Sequence, residues 1–153
     1  MPEYTLARDA EVEMLPHSGI TLLADAATTG GVLTSNRSYL AEGTDGAPPH
    51  VHDDAAELFY VLDGRLDVLL GEEVLTLAKD DLLVVPAGMP HAFAPSKGTA
   101  ADVLFVYTPG KPRFDYYRLL ERLYTGEATV EELNRTQDLY DNHYVDSPVW
   151  ENR

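Results

Sequence analysis

Short runs of apolar, often β-branched residues follow one another along most of this chain and strongly constrain its fold. The runs occupy Val12–Leu15, Ile20–Leu23, Val32–Leu40, Leu58–Leu62, Leu66–Leu70, Val74–Leu77, Leu82–Val85 and Val103–Tyr107. Turn-forming residues separate them, among them Gly30-Gly31, Asp63-Gly64, Gly71-Glu72 and Asp80-Asp81. Regularly spaced short strands are typical of β-sandwiches and barrels. We therefore expect an all-β fold, with a tight hairpin around Gly71-Glu72.

Helical periodicity begins only after the segment Pro109–Pro112. Apolar residues then recur at three- and four-residue spacing, which predicts an amphipathic helix ending at Gly126; they are Phe114, Tyr117, Leu120 and Tyr124. Thr129 and Glu132 have the spacing of a capping box, so we predict a second helix there. Its apolar face would carry Val130, Leu133, Gln137 and Tyr140.

The chain reads as one domain, because no repeat or long linker divides its 153 residues. We expect residues 1–112 to form the barrel and residues 113–153 to form a helical extension packed on it. Beyond the second helix no period is visible. Tyr144, Val149 and Trp150 are expected to pack on the barrel or on another subunit.

Charge narrows the possible partners. The formal net charge is −15, from 11 Lys and Arg against 26 Asp and Glu, which disfavours binding to nucleic acid or to anionic membranes. A small-molecule substrate is the expected partner. No Lys or Arg lies between Ser38 and Gly64, so a dianionic substrate is disfavoured there unless Arg37 or Arg65 points inward.

The sequence lacks cysteines, long apolar runs and the pattern of a signal peptide, and these features indicate the cellular location. There is no cysteine, so disulfides and thiolate metal sites are excluded. No apolar run reaches the roughly 20 residues of a membrane span, and the first residues do not resemble a signal peptide. We expect a cytoplasmic protein.

Two segments carry the candidate chemistry. In the first, His50 and His52 point to one face of an extended strand because the side-chain period is two. A turn over residues 53–56 then places Glu57 at the start of the next strand, and His91 comes from a distant segment. Three imidazoles and one carboxylate suit one divalent transition metal, namely Fe, Mn, Ni, Zn, Co or Cu.

These segments resemble the two motifs of the cupin family, G-x5-H-x-H-x3–4-E-x6-G and G-x5-P-x-G-x2-H-x3-N. All four ligand positions match, at His50, His52, Glu57 and His91. Three positions depart from the pattern: Gly43 lies one residue too far from His50, Asp80 replaces a glycine, and Pro95 replaces an asparagine. Asp tolerates a left-handed backbone better than most residues, so we expect the turn at Asp80 to be kept.

The resemblance implies a double-stranded β-helix, the jelly-roll barrel of cupins, with C-terminal α-helices. It implies a metal-dependent enzyme, and the leading hypothesis is a dioxygenase-type oxidoreductase, similar to quercetinases, acting on a small aromatic or enol-bearing compound. Glu57 is the candidate catalytic residue, as a ligand that could also accept a proton. A non-redox isomerase, lyase or polyketide cyclase remains an alternative, as does a non-catalytic small-molecule or metal-binding cupin.

Alternation along the strands indicates which residues face the cavity. Phe59 and Val61 share the alternation of Glu57, Phe93 shares that of His91, and Tyr107 is expected to face inward. These four residues are the predicted substrate pocket. His17 and His143 lie outside both motifs and are expected to be surface or packing residues.

The resemblance also predicts a homodimer, since small cupins commonly pair through sheet edges and N-terminal strands. Such pairing covers edges that would otherwise invite uncontrolled association. Val12–Leu23 is the predicted interface. Size-exclusion chromatography with light scattering should give twice the chain mass, and a monomer at micromolar concentration would contradict the prediction.

Overall fold

The computed structural model describes residues 3–153 as two antiparallel β-sheets that share one long strand. The strands are β1 (Met14–Leu15), β2 (Ile20–Ala24), β3 (Thr34–Leu40), β4 (Ala47–Val51), β5 (Ala56–Leu70), β6 (Glu73–Ala78), β7 (Leu82–Val85), β8 (His91–Pro95), β9 (Ala101–Thr108) and β10 (His143–Tyr144). The helices are α1 (Ala26–Thr29), α2 (Phe114–Tyr124), α3 (Val130–Asn134), α4 (Gln137–Tyr140) and α5 (Pro148–Glu151).

Pairing between strands builds a jelly-roll barrel. One sheet has the order β1-β2-β3-β9-β5-β7 and the other the order β6-β5-β8-β4-β10. The expected all-β fold is confirmed. The segment predicted as a dimer interface forms β1 and β2 at the edge of the first sheet.

Strand β5 crosses from one sheet to the other instead of ending at a turn. The sequence predicted a turn at Asp63-Gly64, and that prediction is wrong because β5 continues for 15 residues. A register shift between Val61 and Asp63 inserts one extra residue, as in a β-bulge. The inward side therefore changes from odd positions, such as Val61, to even positions, such as Leu66.

Gly64 makes this crossing possible. Its φ of 78° lies in the left-handed region, where residues with a side chain are strained. A Cβ at this position would also overlap the carbonyl oxygen of Ala100 on the neighbouring segment. A glycine is therefore required by both conformation and close packing.

Other turn predictions agree with the structure. Leu70 pairs with Glu73, so Gly71-Glu72 forms the predicted two-residue hairpin loop between β5 and β6. Asp80 has a φ of 71°, which is the left-handed backbone expected for the glycine replacement. Its backbone N–H donates to the carbonyl oxygen of Val61 at 2.8 Å.

The predicted helices are present, but the second is divided in two. Helix α2 begins at the predicted position, and Thr129 caps α3 by accepting the N–H of Glu132 at 3.2 Å. The Thr136 hydroxyl donates to the carbonyl oxygen of Leu133 at 2.7 Å and so competes with helical bonding. The helix consequently breaks before α4.

None of the helices in residues 3–153 is long and apolar enough to cross a membrane.

The main core lies between the sheets. Phe59, Val61, Leu66, Val68 and Val103 have no exposed surface. A second cluster places Trp150 of α5 on Leu69, Ala92 and Ala94, outside the main core. Because β10 also pairs with β4, the C-terminal residues are held directly against the second sheet.

Substituting Gly64 with alanine should destabilise the protein more than the same change at Gly98. Gly98 has a similar φ of 79° but open space around it. Gly98→Ala should cost about 1–2 kcal/mol from the left-handed backbone. Gly64→Ala should cost about 1–3 kcal/mol more through steric overlap. Urea unfolding measures both, and equal losses would contradict the proposed role of Gly64.

Candidate metal centre

Four candidate ligand side chains converge in the barrel interior. His50 lies on β4, His52 follows that strand directly, Glu57 lies near the start of β5 and His91 opens β8. Their ligand atoms all lie within 4.8 Å of one another. Each residue is at most 3% exposed. Separate strands therefore bring the four predicted ligands together at one buried point.

Backbone carbonyls determine how the imidazoles are oriented. Nδ1 of His50 lies 2.7 Å from the carbonyl oxygen of Pro48. Nδ1 of His52 lies 2.7 Å from that of Asp141, and Nδ1 of His91 lies 2.9 Å from that of Met89. Because a carbonyl only accepts, each Nδ1 must carry the proton. Each neutral ring then presents an unprotonated Nε2, which is the form that binds a metal.

The atoms at the centre of the cluster would be stabilised by a positive charge between them. Glu57 Oε2 lies 3.0 Å from Nε2 of His52 and 2.7 Å from Nε2 of His91. If each ring carries its proton on Nδ1 only, the lone pairs of the two Nε2 atoms point at the lone pairs of Glu57 Oε2. These atoms would repel one another unless a proton or a cation lies between them. Glu57 Oε1 is buried without a hydrogen-bond partner. A divalent metal ion would satisfy both requirements, so the residues fit such an ion.

The charge state of Glu57 is set by two opposing effects. Burial alone would raise the pKa of its carboxyl group, but without a metal ion a proton on His91 and hydrogen bonds from His91 and His52 outweigh this and hold that pKa well below its ordinary value. Burial alone would lower the pKa of His91, but Glu57 raises it. Burial and the neighbouring imidazoles lower the pKa of His50. The cluster thus presents a carboxylate and, at His50, a neutral imidazole, as metal binding requires.

Asp141 supports the centre from the C-terminal extension. Its backbone is left-handed, with a φ of 53°, and its carbonyl oxygen accepts the Nδ1–H of His52. Its carboxylate accepts the backbone N–H groups of Asp53 and Asp54 at 2.8 and 3.0 Å. One residue therefore holds both a ligand and the turn that leads to Glu57.

A cavity of about 250 Å³ adjoins the cluster at His50. It lies between the barrel and α2, and its wall includes Phe93, Phe105, Tyr107, Tyr116, Tyr117 and Tyr144. Drug-sized ligand pockets have volumes of roughly 300–1,000 Å³. This cavity therefore suits a small ligand, and its many rings suit an aromatic or conjugated one.

Arg113 introduces a cation into the cavity wall. The side chain is 2% exposed, and its guanidinium carbon lies 4.4 Å from the ring centre of Tyr107 and 4.7 Å from that of Tyr116. Tyr107 in turn contacts His52 edge-on, with ring centres 5.2 Å apart. A single aromatic ring thus separates this cation from a candidate metal ligand.

Comparison with known proteins agrees with this geometry. Residues 36–107 match the cupin domain family, a stretch that includes all four candidate ligands. An RmlC-like cupin from Shewanella frigidimarina NCIMB 400 superposes with a TM-score of 0.59 at 18% identity, covering 75% of this chain and 96% of that one. At that identity the likeness shows the fold alone. Residues 36–107 of this chain are therefore a cupin domain.

Two curated relatives share part of the cupin sequence. Quercetin 2,3-dioxygenase of Bacillus subtilis (strain 168) is 31% identical over 93 residues, which are 61% of this chain and 27% of that enzyme. Polyketide synthase CurC of Streptomyces cyaneus is 34% identical over 64 residues, 42% of each chain. The matched stretch therefore covers less than half of each of these relatives.

The residues predicted to form a substrate pocket fall into two groups. Phe93 and Tyr107 contribute to the cavity wall. Phe59 and Val61 have no exposed surface and lie in the hydrophobic core, where Phe59 packs against Phe93 and Phe105 with ring centres 5.5 and 4.9 Å apart. Alternation placed all four on inward faces, but only the packing shows which part of the interior is open.

The cation of the cavity was missed by the sequence reasoning. Arg65 is exposed, and Arg37 pairs with Asp102 at 2.6 Å on the surface. Arg113 lines the cavity instead, although it lies outside both motifs. The only signal was its place at the start of the predicted helix, which does not indicate the direction of the side chain.

The remaining two histidines lie outside the metal centre. His17 contacts Glu121 at 2.7 Å and is largely exposed. His143 is half-buried on β10 and contacts Asp53 and Asp141 at 3.2 and 3.3 Å. Neither belongs to the cluster of three imidazoles and Glu57.

Replacing His91 with alanine should abolish stoichiometric metal binding. One of four ligands and its contact with Glu57 are lost, and metal affinity depends on the full ligand set. Elemental analysis after reconstitution should give about one ion per chain for the unaltered protein and for the His17→Ala control, with a large fall for His91→Ala. Equal metal content in all three proteins would rule out this centre.

Proposed function

We propose that this cupin is a metal-dependent enzyme of the dioxygenase type that acts on a small aromatic or enol-bearing compound. One observation carries the proposal: a buried cluster of three histidines and one glutamate adjoins a cavity whose wall includes eight Phe and Tyr rings. A closed structural metal site needs no such cavity, whereas a catalytic site must admit a ligand. The protein would thus use its metal for chemistry.

The protein's residues would hold one divalent ion and orient the substrate beside it. His50, His52 and His91 present Nε2 because backbone carbonyls occupy each Nδ1. Such an ion supplies a Lewis acid for a substrate oxygen and, when redox-active, a route for electrons to O2. Packing around the cluster keeps the ligand side chains at most 3% exposed, which limits competing water.

Glu57 has a second role in the proposal. Its Oε1 has no hydrogen-bond partner, so if Oε2 held the ion, Oε1 could accept the proton of a substrate hydroxyl as the oxygen binds. A carboxylate within hydrogen-bond reach is a competent base for that transfer. The buried phenol of Tyr107 remains protonated, because burial and the charge of Glu57 raise its pKa well above the ordinary value.

The partial likeness to quercetin 2,3-dioxygenase supports the reaction class. The match covers 27% of that enzyme, so its substrate does not carry over. The cavity of about 250 Å³ favours a compound of one or two rings. Small catechols, enols and β-diketones are the classes to examine.

A non-redox enzyme is the second candidate, and the partial likeness to polyketide synthase CurC favours it. In that case the ion would polarise a carbonyl group while Glu57 moved a proton, with no need for O2. The same four ligands and the same cavity would serve both reactions. Only the dependence on oxygen and on a redox-active metal separates them.

We predict that turnover consumes O2 and requires a redox-active metal. The protein is reconstituted separately with Fe, Mn, Co, Ni, Cu or Zn and mixed with a panel of catechols, enols and β-diketones. An oxygen electrode and product analysis by mass spectrometry record the outcome. Oxygen uptake should accompany product with at least one redox-active ion and be absent with Zn, with His91→Ala as the control that lacks the centre.

Other results would decide against the oxygenase. Product formation that continues with Zn under anaerobic conditions would support the non-redox enzyme. Binding without chemical change across the panel would support a non-catalytic binding protein.

A further inference from the structure

Arg113 is a buried cation without a carboxylate partner. Within residues 3–153, no Asp or Glu oxygen lies within 4.0 Å of its side-chain nitrogens. Its guanidinium donates to the hydroxyl of Tyr117 at 3.3 Å, the carbonyl oxygen of Tyr140 at 2.9 Å and Oδ1 of Asn142 at 3.4 Å. A guanidinium has five N–H groups, so two remain free.

The surroundings of Arg113 leave its charge uncompensated. Burial raises the pKa of Tyr116 and of Tyr117, so these phenols are neutral at physiological pH. Aromatic faces stabilise the cation in part through its interaction with the ring electrons. Glu57 is already engaged with His52 and His91. A buried charge with no counter-ion is costly, and an anion entering the cavity would remove that cost.

Asn142 supplies a further free donor at the same place. It is 3% exposed and lines the cavity with Arg113. Its Oδ1 faces the guanidinium, which can only donate, while its Nδ2 has no hydrogen-bond partner. A second buried donor is therefore left unsatisfied beside the cation, and unsatisfied buried polar groups are rare in folded proteins.

We propose that Arg113 and Asn142 form a carboxylate-binding subsite that holds a monoanionic aromatic or conjugated acid beside His50. One cation matches one negative charge, whereas a phosphate dianion would leave a buried charge unpaired. The planar guanidinium and the amide N–H group together match the two oxygens of a carboxylate. This subsite rests on the proposed function for the reaction that follows, but acid binding can be tested without it.

The first test compares acids with their neutral amides. Benzoate, phenylacetate and cinnamate are titrated into the Zn-loaded protein beside benzamide, phenylacetamide and cinnamamide, and ligand-observed NMR gives each dissociation constant. A charge-assisted hydrogen bond should make at least one acid about tenfold tighter than its amide. If no acid binds more tightly than its amide, the subsite does not exist.

The second test supplies Arg113 with a permanent counter-ion. Asn142→Asp places a carboxylate beside the guanidinium, so the acid should lose its advantage over the amide while thermal stability is kept or raised. Asn134→Asp is the matched control, because it adds the same charge at an exposed helical position. Melting temperature and Zn content verify that the fold and the metal centre persist in both variants.

The outcomes separate the possible binding sites. An acid preference that survives in folded Asn142→Asp would place the carboxylate on the metal or elsewhere and overturn the proposal. If Asn142→Asp does not fold, the acid and amide comparison is repeated on the unaltered protein without Zn: a preference that persists supports the subsite, and one that disappears overturns it. If Asn142→Asp retains its metal but loses the acid preference, the subsite is supported even if O2 uptake is never observed. The test of the subsite is therefore independent of the test of the proposed function.

Discussion

At one point in the barrel interior, where Glu57 faces His52 and His91, a positive charge is needed to stabilise the packing. Glu57 is completely buried and faces two imidazoles whose other nitrogens donate to backbone carbonyls. A carboxylate and unprotonated ring nitrogens cannot be packed together in a low-dielectric interior without a cation or protons among them. The metal-site interpretation, the position of the cavity and the role assigned to Glu57 all depend on this requirement.

The C-terminal extension is part of the site as well as of the fold. Asp141 orients His52 and holds the turn before Glu57, while Arg113 and Asn142 provide polar groups to the cavity. Asp25 anchors the start of this extension by accepting the backbone N–H of Arg113 at 2.9 Å. The barrel thus supplies the candidate ligands, and the extension supplies the orienting carbonyl of His52 and much of the cavity wall.

The sequence predicted correctly those features that depend on residues close together in the chain, and it failed where contacts between distant residues decide the structure. His50 and His52 share a face because of strand periodicity, and the left-handed turn at Asp80 reflects a local backbone preference. The crossing of β5 between sheets was misread, since Asp63-Gly64 carries an ordinary turn signal. Here a close approach to Ala100 requires the glycine, and that approach involves residues distant in sequence.

The sequence by itself determined the strand-rich architecture and the identity of the four candidate ligands, because both follow from short-range periodicity and from donor chemistry at fixed spacing. Only the tertiary structure decided which inward residues border open space, since Phe93 and Tyr107 line the cavity while Phe59 and Val61 fill the core. Only the tertiary structure also turned Arg113 into the cavity. The direction of a long side chain depends on packing between segments, and no local pattern encodes it.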